Sequence, residues 1–344
     1  MVQSQLSAGG GGGEVYEVLD SFEGEGVVLK LIRNVPTGNP WHEAQILRRL
    51  SDPHILPIRN ADVTLGIPYV VTERATHGTL ETKLMASGGL GADVGEVIQW
   101  MRQASYGVAR SHDLRLTHND IKPANLFLNA QGEALVGDFG GASLIPPGAS
   151  STTPFQATAE TIAPEVALGW GTPAPTASFV SDVYSLGATA YWMLTAMTPH
   201  DFKGAVGHVA RCQVVASSSA RRLRDVAPHV PQSVAAVVER AIHPDPAQRF
   251  ATPLDFAAAL SSRSLPDRRG RRTNVHAGHV GCWTGVASGS AGTYILCAEM
   301  GSRPSLCQIT TFHANSGNRV SRGCRVVSMR SWPQAVRSVM QDLG

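Results

Sequence analysis

Residues 118–125 read His-Asn-Asp-Ile-Lys-Pro-Ala-Asn, and Asp138-Phe139-Gly140 follows shortly after. Together Asp120, Lys122, Asn125 and Asp138 supply a base, a cation and two oxygen ligands. Transfer of a nucleotide's γ-phosphate calls for such a set, because that chemistry is mostly positioning and charge neutralisation. Asp120 can accept the proton of a substrate hydroxyl, and Lys122 can offset charge on the moving phosphate. Asn125 and Asp138 offer the hard oxygens that Mg²⁺ prefers. Either run alone reads equally well as a polar turn. The two in order, at short separation, favour chemistry.

The pair resembles the catalytic loop and the start of the activation segment of eukaryotic-type (Hanks-type) serine/threonine protein kinases. The resemblance extends over roughly residues 6–262, with the family's other marks in order. It implies an α+β, two-lobed protein-kinase-like fold, with a small β-rich N-lobe over about 1–74 and a helical C-lobe over about 75–262. ATP would lie in the cleft between them, with Mg²⁺ or Mn²⁺. The glycine tract Gly9, Gly10, Gly11, Gly12, Gly13 suits backbone that must approach phosphates closely. Against the family's Gly-x-Gly-x-x-Gly-x-Val, Ala8 replaces the first glycine and Val15 falls over the adenine. Few residues precede this loop, so the first strand is expected to be short or the start trimmed.

Residues 26–32 read as a buried strand carrying one charge, Lys30, which the resemblance assigns to the α- and β-phosphates. Val28 stands where the family usually has Ala. Residues 41–50 predict a helix, with Ile46, Leu47 and Leu50 on one face. Glu43 on that helix aligns with the family glutamate that pairs with the lysine. The next strand, 68–73, places Thr72 at the gatekeeper position, and Glu73 and Ala75 at the hinge that would hold adenine. Phe127, beyond the catalytic loop, completes the residues assigned to the nucleotide. An amphipathic helix is predicted over 95–112.

The resemblance also assigns supporting roles. His118 opens the catalytic loop, and Phe139 and Gly140 follow the metal-binding Asp138. Thr158 aligns with the threonine that Ser/Thr kinases set beside the catalytic Asp and Lys. Glu165, in Ala163-Pro164-Glu165, would pair with Arg249, and Asp182 would tie down the catalytic loop. Asn119 departs from the family, which usually has arginine there to grip a phosphorylated activation segment. Activity without strict dependence on that phosphorylation is therefore expected, and Ser150, Ser151, Thr152, Thr153 and Thr158 remain candidates for autophosphorylation. Two other readings compete. A small-molecule kinase of the aminoglycoside type would lack the Ala-Pro-Glu segment and the Arg249 partner. A pseudokinase binding module would have lost Lys30, Asp120 or Asp138. All are present.

Composition agrees with this frame. The chain has 344 residues, 43% of them hydrophobic, enough for a large two-lobed domain and a smaller one. No apolar run reaches the ~18–20 residues that cross a bilayer, and the start shows no signal-peptide pattern. A soluble, cytosolic protein is expected. Only four lysines occur, Lys30, Lys83, Lys122 and Lys203, against 25 arginines. Two of the four therefore sit where a kinase requires a compact ammonium. That bias, with abundant Ala, Gly and Pro, points to a GC-rich bacterial genome.

Charge divides the chain. Residues 263–344 hold eleven Arg, no Lys and three acids, a net +8 against −6 for 1–262. Residues 263–274 read as an Arg-rich linker. Residues 275–344 read as a small basic α+β domain: four antiparallel strands (279–287, 292–299, 306–313, 319–328) and a helix from Trp332 to Leu343. Its charge would suit an acidic protein face or nucleic acid, although a solvated surface or docking on the acidic kinase domain is the simpler reading. Five cysteines (Cys212, Cys282, Cys297, Cys307, Cys324), with no Cys-x-x-Cys pair, speak against both a zinc site and a disulfide framework.

Overall fold

The structure is a computed structural model that describes residues 2–10, 13–32, 41–154, 156–172, 175–262, 269–273, 276–286 and 292–343. The N-lobe runs β1 (Val2–Gly10), β2 (Gly13–Leu19), β3 (Gly26–Leu31), α1 (His42–Arg49), β4 (Ile58–Thr64) and β5 (Ile67–Glu73). Its antiparallel sheet has the order β1-β2-β3-β5-β4. Register is the useful fact here. Lys30 on β3 faces Val15 on β2 and Val70 on β5, while Val28 faces Glu17 and Thr72. Helix α1 buries Ala44, Ile46 and Leu47, and leaves Arg48 and Arg49 outward.

The expected short first strand is corrected: β1 spans nine residues. Its sequence is polar, and Val2 and Leu6 are exposed. It is an edge strand held by backbone pairing to β2, with little side-chain signal to reveal it. Gly10 pairs with Gly13 at the tip of this hairpin, while Gly11 and Gly12 lie outside the described residues.

The C-lobe contains α2 (Leu80–Ala86), α3 (Val94–Asp113), β6 (Leu116–Thr117), β7 (Leu126–Leu128), β8 (Ala134–Val136), β9 (Ser143–Leu144), α4 (Pro164–Gly169), α5 (Phe179–Thr195), α6 (His208–Ser217), α7 (Leu223–Val226), α8 (Gln232–Ala241) and α9 (Pro253–Ser261). Helix starts follow local chemistry. Asp93 caps α3 by accepting from the Gly95 and Glu96 amides, and capping boxes start α2 (Thr79 with Thr82) and α9 (Thr252 with Asp255). Helix α5 is buried nearly all round, so it serves as a post on which other elements are hung. The short β6–β9 and β7–β8 pairs flank the loop 118–125, and Asp138 follows β8.

Beyond 262 the structure corrects the linker assignment. Residues 269–273 form β10 (Arg269–Thr273), which pairs in register with β11 (Gly281–Val286). The sheet continues through β12 (Thr293–Met300), β13 (Leu306–His313) and β14 (Arg325–Ser328), five strands rather than four. An Arg-rich run looks like a linker by composition, and only the pairing partner makes it a strand. Helix α10 (Trp332–Leu343) packs Val336 and Val339 onto Trp283, Leu296 and Ile309, a core separate from that of the kinase domain. Arg337 Nη1 of α10 donates to the Arg224 carbonyl at 2.6 Å and lies 3.4 Å from Asp225 Oδ1, docking the small domain on α7. Among the described residues, no helix is long and apolar enough to cross a membrane.

Candidate active site

Two clusters meet at the junction of the lobes. In the first, Lys30 Nζ lies 2.8 Å from Glu43 Oε2 and 2.8 Å from Asp138 Oδ1. Strand β3 delivers the lysine, α1 the glutamate, and the turn after β8 the aspartate. Burial disfavours the ammonium, but the two carboxylates outweigh it and hold the Lys30 pKa well above the ordinary lysine value. Burial pushes the Glu43 carboxyl up against the pull of Lys30. Burial acts on Asp138 in the same sense, yet Lys30, with His118 and Lys122 behind it, keeps that carboxyl below its usual range. The Asp138 backbone sits in the left-handed region (φ 55°, ψ 61°), an uncommon position for a residue with a Cβ and a common one at functional turns.

The second cluster surrounds Asp120, which is fully buried. Lys122 Nζ reaches Asp120 Oδ2 at 2.9 Å and the Thr158 hydroxyl at 2.9 Å. Thr158 donates to Asp120 Oδ1 at 2.5 Å, closing a triangle. Asn125 Nδ2 donates to the Asp120 carbonyl at 2.8 Å and to Oδ2 at 3.1 Å. The amide nitrogen is thereby spent on the loop, which turns the amide oxygen, a hard ligand, away from Asp120. That oxygen and the Asp138 carboxylate are hard donors of the kind a small divalent cation takes.

Supporting residues explain why the loop holds this shape. Asp182, fully buried on α5, accepts from the His118 amide at 2.8 Å, the Asn119 amide at 2.9 Å and His112 Nε2 at 2.9 Å. Asn119 itself has φ 68°. His118 Nε2 contacts the Gly137 carbonyl at 3.1 Å, and its ring packs 4.6 Å from the Phe139 ring. Gly140 follows in the same turn; a Cβ there would come within 3.3 Å of Asp138 Oδ1. Arg249, its side chain fully buried, forks onto Glu165 with two bonds of 2.7 Å and packs over Tyr184. Every supporting pair expected from the sequence therefore meets in space.

The residues expected to hold adenine lie on β2, β3 and β5 and just after β5. Thr72 sits opposite Val28 in the sheet, and the hinge is pinned where the Glu73 amide donates to the Pro57 carbonyl and the Gly78 amide to the Ala75 carbonyl. The Leu128 amide donates to the Gly78 carbonyl at 2.8 Å, and Phe127 bridges to Thr79, which ties β7 to the segment after the hinge. Two further contributors carry no signal in the sequence. Gln156 Nε2 donates to Asp120 Oδ2 at 3.1 Å, and nothing in its small-residue surroundings marks it. Gly137 backs onto the Phe127 ring, where a Cβ would come within 2.7 Å, so this site has room only for glycine. Asn119, noticed for the arginine it replaces, has a task of its own: its amide nitrogen donates to the Gly141 carbonyl at 2.9 Å and to Ser143 Oγ at 3.1 Å.

Fold and site together define a two-lobed architecture with a lysine clamp in one lobe and an aspartate-lysine-asparagine loop in the other. Comparison with known proteins agrees. The protein kinase domain signature matches residues 3–260. Serine/threonine-protein kinase PrkC of Bacillus subtilis is 30% identical over 275 residues, covering 77% of this chain and 40% of PrkC. The probable serine/threonine-protein kinase PknB of Bifidobacterium longum is 28% identical, covering 73% of this chain and 38% of PknB. Serine/threonine-protein kinase PknA of Mycobacterium tuberculosis is 27% identical, covering 78% and 61%. The chain belongs to the protein kinase family. It spans about two fifths of the length of PrkC and PknB.

Proposed function

We propose that this chain is an ATP-dependent serine/threonine protein kinase that moves the γ-phosphate of ATP to Ser or Thr hydroxyls of proteins, itself included. The observation that carries the reading is the Asp120–Lys122–Thr158 triangle beside the Lys30–Glu43 pair. Asp120 already accepts an alcohol O–H from Thr158, so its Oδ1 is suitably aimed to accept the proton of a substrate hydroxyl. Lys122 lies where it can balance charge on the phosphoryl group in flight, and Lys30, steadied by Glu43, grips the α- and β-phosphates. The strands bearing Val15 and Val28, with Thr72 and the hinge at Glu73 and Ala75, would enclose the adenine. Asn125 and Asp138 would hold Mg²⁺, with Mn²⁺ as a substitute, and the bound cation would neutralise phosphate charge. The cytoplasm, where ATP is abundant, is the proposed place of action. For the basic C-terminal domain we favour docking against the acidic kinase domain over an external acidic protein or nucleic acid, supported by the Arg337 contacts with Arg224 and Asp225.

The test is transfer of labelled γ-phosphate to the chain and to a generic Ser/Thr substrate. Asp120→Asn should lower the rate by about 10²–10⁴-fold, the span general-base catalysis supplies, while ATP still binds. Lys30→Met should weaken both ATP binding and turnover. Undiminished transfer by Asp120→Asn would overturn the proposal, as would phosphorylation confined to small-molecule alcohols.

A further inference from the structure

The C-terminal domain holds a cluster that the kinase reaction does not use. His276, His279, Cys282 and Cys297 bring one ligand atom each to within 4.8 Å of one another. His276 Nδ1 lies 3.2 Å from Cys297 Sγ and 3.8 Å from Cys282 Sγ, and His279 Nδ1 lies 3.4 Å from Cys282 Sγ. Four ligands at ordinary zinc distances, ~2.0–2.1 Å for nitrogen and ~2.3 Å for sulfur, stand ~3.3–3.8 Å apart at the corners of a tetrahedron. The three observed spacings fall in or close to that range, and all four atoms lie within 4.8 Å of one another. Both sulfurs are buried, Cys282 and Cys297 being directly opposed residues of β11 and β12. The two histidines come from the segment just before β11, three residues apart, with Cys282 three further on.

We propose that these four residues form a structural zinc site. A closed Cys₂His₂ set leaves no open position for substrate, which assigns the metal a structural role. The surroundings agree. His279 turns Nδ1 to the cluster while its Nε2 lies 3.4 Å from Glu299 Oε2, the carboxylate–histidine arrangement that orients metal-binding imidazoles. A domain this small buries a limited core and gains from such a staple. The site would tie the segment between β10 and β11 to the middle of the sheet. A search for Cys-x-x-Cys pairs misses it, because its cysteines meet across strands and its near-sequence partners are histidines.

The test uses the full chain purified with reductant and without chelator. Elemental analysis should find about one zinc per chain, as a closed four-ligand site requires. Cobalt exchange should give the visible bands of tetrahedral, thiolate-bound Co²⁺. Cys282→Ser and Cys297→Ser should lose both signals, while Cys307→Ser, altering a buried thiol of the same domain outside the cluster, should keep them. If the serine variants fail to fold, His276→Asn and the wild-type cobalt spectrum decide. Substoichiometric metal with no tetrahedral cobalt spectrum would overturn the proposal. So would a Cys282–Cys297 disulfide in the chain purified without reductant, with no metal bound after its reduction. Phosphotransfer measured in parallel separates this outcome from that of the kinase assignment, since no ligand of the cluster belongs to the catalytic site.

Discussion

Asp182→Asn is the sharpest test of how the catalytic loop is held. The carboxylate accepts three hydrogen bonds, Oδ1 from the Asn119 amide and Oδ2 from the His118 amide and His112. An asparagine has one oxygen. Its better orientation keeps that oxygen at Oδ2 and sets an NH₂ against the Asn119 N–H, donor facing donor. One buried amide then loses its partner, at ~1–3 kcal/mol, and the two surviving bonds lose their charge assistance, about another 1 kcal/mol each. A total of about 3–5 kcal/mol is expected by urea unfolding. Asn119 precedes Asp120, so relaxation of that peptide moves the base directly. A displacement of about 1 Å costs on the order of 10²-fold in turnover. The expected pattern is a fall in kcat with the KM for ATP nearly unchanged, because Lys30, Glu43 and the hinge stand on other elements. Assays run well below the variant's unfolding temperature separate positioning from stability. A folded Asp182→Asn protein with wild-type kcat would refute the reasoning.

Arg249→Ala should destabilise the C-lobe by ~3–5 kcal/mol, since it strands Glu165 and the His243, Val180 and Pro244 carbonyls, and Arg249→Lys should recover little because the fork is lost; denaturant titration within 1 kcal/mol of wild type would count against it. Phosphatase-treated chain should keep most of its activity, because Asn119 holds Gly141 and Ser143 without a phosphate; initial rates that return only after re-phosphorylation would refute this. Acid should loosen the C-lobe. Burial depresses His200 and His229 to about 4, with Arg221 and Arg272 respectively adding to it. Between about pH 6.5 and 4 the unfolded chain therefore binds protons that the folded chain refuses, and stability falls as pH falls, by up to ~1.4 kcal/mol per pH unit for each histidine. Unfolding curves at several pH values should show that slope, flattened in a His200→Gln/His229→Gln variant.

The catalytic loop and Asp138 were legible in sequence because their chemistry depends on residue type at short spacing, which the chain displays directly. The same held for helix α3, where apolar periodicity reports a buried face. Strand β1 was harder to read, because a polar edge strand is stabilised by its neighbour's backbone and carries few signals of its own. Strand β10 was missed for the same reason, aggravated by its arginines.

What the sequence displayed by itself was therefore the residues expected at the site and at its supports, in order: Lys30, Glu43, Asp120, Asn125, Asp138, Thr158, Glu165 and Arg249. Tertiary structure decided which of them touch and what else joins them. Gln156 reaches Asp120 only because the activation segment folds back over the catalytic loop, and Asn119 becomes a strut only when Gly141 lies within reach. Cys282 and Cys297, fifteen positions apart in the chain, become neighbours only through the pairing of β11 with β12. Local chemistry is written in residue identity, whereas contacts between distant segments depend on strand register and packing, which no short window of sequence contains.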